Sequence, residues 1–269
     1  MDKNKLIVFT AFIPLLLSSC SGARFREIDF KSYENSEVPQ DVCSAKLQAR
    51  MTELVSTYFV STTTQNITTL SSNLLMESYG YSSSSFEAKN SEDSYADYSE
   101  QYETIHVDGV YKRFTRSIIK KAYHEGHSSS DAQKRSVSKE DYYAEYIGNQ
   151  IYYVDLNKNE VTNYSSNYSF LPIDISSVID YSSFSKYSSQ TIKSYMHGNV
   201  FTFAYHANEK NEIILQFDFE KDLVVKSLTK SLETNNKGTN TIETGFEIKI
   251  EKTTKSVQEY DYSNLTKSS

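Results

Sequence analysis

The sequence contains no tryptophan, three prolines, eight glycines and two cysteines in 269 residues. The few glycines lie mostly at turn positions and form no glycine-rich loop of the kind that holds a phosphate group. The two cysteines, Cys20 and Cys43, cannot build the disulfide framework of a small secreted domain. The formal net charge of −7 argues against a nucleic-acid partner and against electrostatic docking on anionic lipid.

The motifs of catalysis and of metal binding are missing as well. The chain has no G-x-S-x-G elbow and no S-x-x-K followed by its partner motifs. One close histidine pair occurs, in His124-Glu125-Gly126-His127, but zinc needs three or four ligands, and no cysteine or further histidine lies nearby in sequence. Exposed histidines beside a serine-rich loop are the simpler interpretation. The sequence therefore predicts a protein that is not an enzyme and that holds neither a metal nor a cofactor.

The N-terminus carries the clearest signal in the chain. Lys3 and Lys5 are followed by an apolar run over residues 6–17, which leads into Leu17-Ser18-Ser19-Cys20. A basic start before about 7–15 apolar residues is typical of a secretory signal, and the run is too short for a membrane-spanning helix of about 20 residues. Its end resembles the lipobox of bacterial lipoproteins, although an ordinary secretory signal with a chance cysteine is the alternative.

In the lipoprotein family a lipid is attached to the lipobox cysteine, and cleavage leaves that cysteine as the first residue. The resemblance thus implies a signal peptide over 1–19 and an acylated Cys20. Since each buried methylene of an acyl chain contributes about 0.8 kcal/mol, the chains would hold the protein on the extracytoplasmic face of the cell membrane. We interpret residues 20–40 as a tether and 41–269 as a single domain whose C-terminal end is free to fray.

A helix is predicted from Asp41, as its N-cap, to about Val60. Its apolar residues recur at helical spacing along one stripe. They are Cys43, Leu47, Met51, Leu54, Val55, Tyr58 and Phe59. Because Cys43 lies on this stripe, we interpret it as a buried apolar residue rather than as a reactive thiol.

Three hairpins are predicted where a two-residue turn separates alternating runs. The turns are Asp108-Gly109, Gly148-Asn149 and Gly198-Asn199, and such pairs accept the positive φ angles that tight turns need. A two-residue turn in the first hairpin would put five residues on one face: Ile105, Val107, Val110, Lys112 and Phe114.

Further strands are predicted over 74–81, from Glu160 after a turn at 156–159, over 213–219 and over 223–234. In the last strand, the residues expected to face the core are Ile242, Phe246, Ile248 and Ile250. The serine-rich stretches near 82–101 and 125–140 are predicted to be mobile polar loops.

The hairpin at 142–154 is semi-apolar on both faces, which predicts that something covers or binds its second face. After it, Leu171-Pro172 ends the strands, and a short second helix is predicted behind Asp174. Nine or ten meandering strands with two helices predict an α+β domain built on a single curved antiparallel sheet.

This order of elements resembles the LolA/LolB and LppX/LprG type of lipoprotein carriers over about residues 41–252. The phrase from Tyr146 to Asp155 looks like the central hairpin of that fold, and Leu171-Pro172 looks like the start of its lid helix. In that family a half-open, barrel-like meander holds acyl chains between the sheet and the helices. The resemblance implies a carrier of an apolar or amphiphilic ligand, such as a lipid.

Six aromatic residues are candidates for lining such a groove: Tyr146, Tyr152, Tyr153, Phe201, Phe203 and Phe217. The same residues could equally form an ordinary core between sheet and helix. Two functions follow from these alternatives. With a groove, the protein is a membrane-anchored, non-catalytic binding protein for an apolar ligand. With a filled core, it is a surface lipoprotein that presents tyrosine- and serine-rich segments to another protein or to the cell wall.

Overall fold

The structure, a computed structural model, describes residues 28–61, 68–70, 73–89, 94–109, 112–126, 134–148, 150–165, 192–208 and 211–264. In these ranges the chain forms one α-helix, α1 (Gln40–Tyr58), a single 3-10 turn (Tyr262–Asn264) and fourteen strands. The strands are β1 (Glu37–Val38), β2 (Phe59–Ser61), β3 (Thr68–Leu70), β4 (Asn73–Ala88), β5 (Tyr95–Asp108), β6 (Arg113–Gly126), β7 (Lys134–Ile147), β8 (Gln150–Asp155), β9 (Glu160–Ser165), β10 (Ile192–His197), β11 (Val200–Asn208), β12 (Asn211–Asp218), β13 (Leu223–Thr234) and β14 (Gly238–Thr253).

Twelve of these strands form one open antiparallel sheet in the order β1-β10-β11-β12-β13-β14-β4-β5-β6-β7-β8-β9, while β2 and β3 pair separately. The first strand, β1, forms one edge of the sheet beside β10. The chain then enters the centre with β4, runs to the opposite edge with β9, resumes beside β1 with β10 and returns to the centre with β14. The predicted single antiparallel sheet is confirmed, with twelve strands rather than nine or ten. The helix predicted behind Asp174 lies outside the described residues.

Helix α1 starts at Gln40, two residues earlier than an N-cap at Asp41 would place it. The Cys43 N–H donates to the Pro39 carbonyl at 3.0 Å, so Asp41 lies inside the first turn and is not the N-cap. Proline suits this boundary because its fixed φ is compatible with the start of a helix. A backbone N–H at this position would have no partner within the helix, so proline loses no hydrogen bond by lacking one. The helix ends at Tyr58, and Phe59 already belongs to β2, so the predicted end at Val60 was too late.

The helix packs on one face of the sheet, which we call the helix face. Its buried stripe consists of Cys43, Leu47, Met51 and Leu54, as the helical spacing predicted. This stripe forms one apolar cluster with residues of β4–β8 and β10–β14. Cys43 is fully buried, which confirms its interpretation as a core residue, and its Sγ lies 3.6 Å from the Tyr195 carbonyl.

Two of the three predicted hairpin turns are confirmed. Ile147 pairs with Gln150 and His197 pairs with Val200, so a two-residue turn separates each pair of strands. Gly148 adopts a φ of 61°, a region that favours glycine because it has no Cβ.

The predicted Asp108-Gly109 turn is wrong, because Asp108 remains in β5 and pairs with Arg113 across a four-residue connection. The buried Asp108 carboxylate accepts a hydrogen bond from the Val257 N–H at 3.2 Å, which favours the strand position. Lys112, expected in a strand, lies in the turn with a φ of 51°. The shared face of Ile105, Val107 and Phe114 is nevertheless correct, and all three are buried, while Val110 lies outside the described residues.

The prediction of polar loops near 82–101 and 125–140 is also wrong over most of their length. Residues 82–88 continue β4, residues 95–101 begin β5, and residues 134–140 begin β7. Ladder pairing satisfies the backbone of β4 and β5 on both sides, and tyrosine and phenylalanine are common in strands. A polar composition therefore did not mean an unpaired backbone.

In β14 the predicted inward residues do share the helix face, but they are not all buried. Ile250 is 1% exposed, whereas Ile242 and Phe246 are 41% and 36% exposed. The exposed pair lies toward the start of β14, away from the apolar cluster that includes α1.

Both ends of the described chain pack on the opposite face of the sheet, which we call the outer face. Val257 packs with Tyr143 and Val154, and Tyr260 and Tyr262 lie against the same cluster. The expectation that something covers the second face of the 142–154 hairpin is confirmed. The end of the chain, which we expected to fray, therefore contacts the sheet as far as Tyr262.

The N-terminal segment crosses the outer face from the centre to an edge. Ile28 packs against Tyr79 and Tyr81, and β1 pairs with β10 through Glu37 and Val38. Residues 28–38, expected in the tether, thus belong to the folded domain.

Candidate interaction surface

The six central strands, β13, β14, β4, β5, β6 and β7, are 12 to 16 residues long, whereas β8 to β12 have only six to nine. The central strands extend to an end formed by the connections after Ala88, Gly126 and Thr234. We call this part the blade. It comprises residues 78–88, 95–103, 118–126, 134–140, 227–234 and 238–248.

The helix face of the blade is lined by small polar side chains, and we call it the serine face. Five residues lie side by side across β14, β4, β5, β6 and β7, and all five are exposed. They are Thr244, Ser82, Ser99, Ala122 and Ser136. No other described residue forms a hydrogen bond with these four hydroxyl groups. These small, exposed side chains therefore present hydroxyl donors and acceptors to solvent.

The serine face follows from strand alternation within a low-complexity stretch. Of the four serines at 82–85, Ser82 and Ser84 fall on the serine face, and the other two fall on the outer face. Five tyrosines of β4, β5 and β6 have the opposite parity and lie on the outer face, whereas Tyr95 of β5 lies on the serine face. The five are Tyr79, Tyr81, Tyr98, Tyr102 and Tyr123.

The outer face of the blade is held together by a buried carboxylate. The Glu100 side chain is fully buried, and its Oε1 lies 2.8 Å from Lys121 Nζ. The hydroxyls of Tyr98 and Tyr102 donate to Glu100 Oε2 at 3.0 and 3.4 Å. Burial, together with the neighbouring Tyr79 hydroxyl and the Glu100 charge, raises the pKa of both phenols well above the ordinary value. The phenols therefore stay protonated and act as donors to Glu100.

The serine face has an apolar border on one side and a basic border on the other. On β14, the border consists of the exposed Phe246 and Ile242. The basic border, on β6 and β7, includes Lys120, Lys134 and His124. The His124 Nδ1 lies 2.5 Å from Asp97 Oδ1.

The six aromatic candidates of the sequence analysis do not all share one face. Phe201, Phe203 and Phe217 are buried in the cluster that contains the helix stripe. Tyr146 and Tyr153 are half-buried beside this cluster, and the Tyr153 ring meets Phe114 edge-on at 5.8 Å.

Tyr152 points to the outer face instead, where its hydroxyl donates to Gln150 Oε1 at 2.9 Å. Cys20, the predicted acylation site, lies outside the described residues.

The serine face was not predicted from the sequence because its residues were assigned to loops. The alternation of serines and tyrosines was the signal that could have found it.

The histidines that the structure describes form no cluster. His127 lies outside the described residues, and His106 Nε2 contacts the Lys255 carbonyl at 3.0 Å. Within the described ranges, no group of three or more His, Cys, Asp or Glu residues is placed to hold a metal ion. In the described part of the chain, no helix is long and apolar enough to cross a membrane.

No protein-family model matches the sequence, and no curated protein is significantly similar to it. Any functional conclusion therefore depends on the residues of the chain itself.

Proposed function

We propose that the protein is a lipid-anchored, extracytoplasmic lipoprotein that binds another envelope component through the serine face of its blade and catalyses no reaction. The observation that carries the binding role is the exposed row of four hydroxyl side chains and one alanine across five paired strands. The lipobox-like sequence ending in Cys20 supports the anchor.

The serine face suits an extended partner that lies along its row of small side chains. Each hydroxyl both donates and accepts a hydrogen bond, and small side chains let a partner approach the sheet closely. The strands of the blade are fixed by ladder pairing, so binding would order few groups and would lose little conformational entropy. A surface of another protein or an extended cell-wall polymer has the required shape.

The anchor would hold the domain close to the membrane. Ile28 is fixed on the outer face, and it lies only eight positions after Cys20 in sequence. Because an extended chain spans at most about 3.6 Å per residue, the lipid would lie within roughly 29 Å of Ile28. The acyl chains would then approach from the outer-face side and leave the serine face turned away from the bilayer.

The alternative, an apolar ligand between helix and sheet as the carrier resemblance implies, has weaker support. Cys43 and Leu47 are both fully buried against the sheet, and Phe203 and Phe217 belong to the same packed cluster. Where these residues meet, side chains fill the space that a lipid would need.

The anchor is tested by expressing the full chain with Cys20→Ala and fractionating the cells. We expect the variant to leave the membrane fraction, while Cys43→Ala, which changes the other cysteine, stays there. Equal membrane retention of all three proteins would refute the anchor.

The binding surface is tested with the soluble chain in which serine replaces Cys20, by sedimentation with isolated cell envelopes. Ser99→Tyr places a ring in the middle of the exposed row and should reduce binding at least tenfold. Thr104→Tyr, which lies on the outer face of the same strand, is the matched control and should bind normally. If both variants bind like the unmodified chain, the serine face is not the binding surface. A lipid that co-purifies with the protein in native mass spectrometry would favour the apolar-ligand alternative.

A further inference from the structure

Three large apolar side chains are exposed on the serine face of the blade. Ile242 and Phe246 of β14 are 41% and 36% exposed, and Tyr95 at the start of β5 is 39% exposed. Among the described residues of the blade, the other exposed large apolar side chain is Val137, which lies on the outer face. Because exposed apolar groups cost free energy in water, their concentration on one face favours a partner for that face.

Ile242 and Phe246 are arranged symmetrically about the exposed row that runs from Thr244 to Ser136. Each of them lies two residues from Thr244 on the same face of β14, one toward the tip of the blade and the other away from it. If two copies of the chain meet face to face about a two-fold axis along this row, Ile242 of each copy lies opposite Phe246 of the other. Both exposed side chains are then buried by the same contact, made twice, as in a symmetric homodimer.

The polar residues beside the row also suit this arrangement. Each residue of the row meets its own counterpart, and paired hydroxyls can both donate and accept. Ser84 lies opposite Gly80 of the second copy, where no side chain is in the way. Asp97 lies opposite Gln101 of the second copy, whose amide can donate to the carboxylate.

The charges of the face determine which two-fold axis is favoured. With the axis along the row, His124 lies opposite Lys120 of the second copy. Within each copy these two groups already contact Asp97 at 2.5 Å and Glu140 at 3.3 Å. An axis parallel to the strands would instead place the apolar border on β14 against the basic border of the second copy. Apolar side chains would then cover charged groups, so the axis along the row is the better one.

The serine face is also large enough for a dimer. It extends over residues 240–248 of β14 and their neighbours in β4 to β7. Five strands about 4.8 Å apart, with a rise of about 3.4 Å per residue, present roughly 600–700 Å² over this length. Two copies would bury roughly twice this area, and stable interfaces bury about 1,200–2,000 Å² in total. The N-terminal segment from Ile28 packs on the outer face and does not lie between the copies.

We infer that the serine face pairs with the serine face of a second copy of this chain, about a two-fold axis along the exposed row. The inference deepens the proposed function, because it names the partner, and it rests on that function for the use of this face in the envelope. The simpler explanation is that the apolar alternation of β14 continues past the apolar cluster, since single exposed apolar side chains are common on monomers. That explanation predicts a monomer.

The test is analytical ultracentrifugation of the full soluble chain, with serine in place of Cys20, over a range of protein concentrations. We expect a reversible dimer that dissociates in the micromolar range, and at least tenfold weaker association for Phe246→Ser. Thr104→Lys, at an exposed threonine on the outer face of β5, is the control and should associate normally.

A pair of charged variants tests the axis itself. Because Thr244 lies on the axis and meets its own counterpart, Thr244→Lys and Thr244→Glu should each be monomeric through repulsion of like charges. An equal mixture of the two should form a dimer again, which a misfolded variant could not do. A chain that is monomeric at all concentrations, or a mixture no more dimeric than its separate components, would overturn the inference.

Envelopes from cells that lack the protein separate the inference from the proposed function. If the second copy is the partner, the soluble chain should sediment with envelopes that carry the anchored protein and not with envelopes that lack it. Equal sedimentation with both would overturn the second copy as the partner. If the chain stays monomeric but Ser99→Tyr abolishes envelope binding, the inference fails while the proposed function stands. If the chain dimerises but neither envelope retains it, the pairing stands while the proposed function fails.

Discussion

Gln216 and Lys31, 185 positions apart in sequence, form two reciprocal hydrogen bonds. Gln216 Nε2 donates to the Lys31 carbonyl at 3.0 Å, and the Lys31 N–H donates to Gln216 Oε1 at 2.9 Å. The same Nε2 donates to Thr202 Oγ1, and the glutamine is only 1% exposed. The side-chain amide of Gln216 in β12 thus binds the backbone of the N-terminal segment as a neighbouring strand would, and it fixes this segment on the outer face.

Gln216→Leu should therefore destabilise the protein by about 1–3 kcal/mol, because it leaves backbone groups of Lys31 and the Thr202 hydroxyl without their partner. Hydrogen exchange should accelerate at residues 28–33, and urea unfolding should report the lower stability. Gln48→Leu, at an exposed glutamine of α1, is the control and should change stability by less than about 0.5 kcal/mol. Unchanged exchange at 28–33 in Gln216→Leu would mean that other contacts hold this segment.

Two glycines on neighbouring strands should respond differently to alanine. A Cβ on Gly245 would lie 2.5 Å from the Tyr81 ring and 2.9 Å from Ile28 Cδ1, so Gly245→Ala should cost about 1–3 kcal/mol through overpacking. A Cβ on Gly80 would meet nothing closer than 3.8 Å, so Gly80→Ala should be neutral or slightly stabilising. Thermal unfolding of the two variants tests the contrast, and equal effects would show that Tyr81 and Ile28 can move aside.

Local patterns predicted much of the fold. The helical stripe from Cys43 to Leu54 and the turns at Gly148 and Gly198 depend on residues close in sequence, and these predictions were confirmed. The Asp108 turn was mispredicted because its decisive contact, with Val257, joins residues 149 positions apart. A contact of that span leaves no local pattern in the sequence.

The serine face could not be predicted for a related reason. Its row of residues exists only if the registers between β14, β4, β5, β6 and β7 are all correct, and a shift of one residue in any pair would move a strand's serines to the other face. Serine-rich stretches carry little hydrophobic alternation that would specify such a register. The core could be predicted because an alternation of apolar and polar residues marks it. The candidate surface could not be predicted, since its composition resembles that of a loop.

Lys121 and Lys120 are adjacent in β6, point to opposite faces and should differ in importance. Lys121 pairs at 2.8 Å with Glu100, whose side chain is fully buried, so Lys121→Met would leave a buried carboxylate without its cation and should cost roughly 3 kcal/mol. Lys120 pairs with the partly exposed Glu140, so Lys120→Met should cost less than about 1 kcal/mol. Chemical denaturation measures both.

A second substitution separates the charge from packing around Lys121. If the buried charge causes the loss, Glu100→Gln combined with Lys121→Met should recover part of the stability, because the neutral amide is cheaper to bury. A double variant less stable than Lys121→Met would instead assign the loss to the lysine's contact with the Tyr102 ring, which lies 5.3 Å from Nζ.

The C-terminal segment should contribute to stability through Val257. This residue is 4% exposed against Tyr143 and Val154, so Val257→Ala should cost about 1–2 kcal/mol for the two lost methyl groups. Val137→Ala makes the same change at a side chain that is 71% exposed and should be almost neutral. Equal unfolding midpoints for the two variants would show that residues 254–264 add no stability to the sheet.

Cys43 should make stability depend on alkaline pH. Burial raises the pKa of its thiol from 9.0 to about 11, so between these values the folded protein binds more protons than the unfolded chain. The contribution of the thiol is then complete below about pH 9 and is lost as the pH rises through about 11, by an amount on the order of 2 kcal/mol. The difference in unfolding free energy between the Cys20→Ser protein and its Cys43→Ala derivative cancels the titration of tyrosines and lysines. This difference should shrink from pH 8 to pH 11, and a constant difference would mean that the thiolate reaches solvent in the folded state.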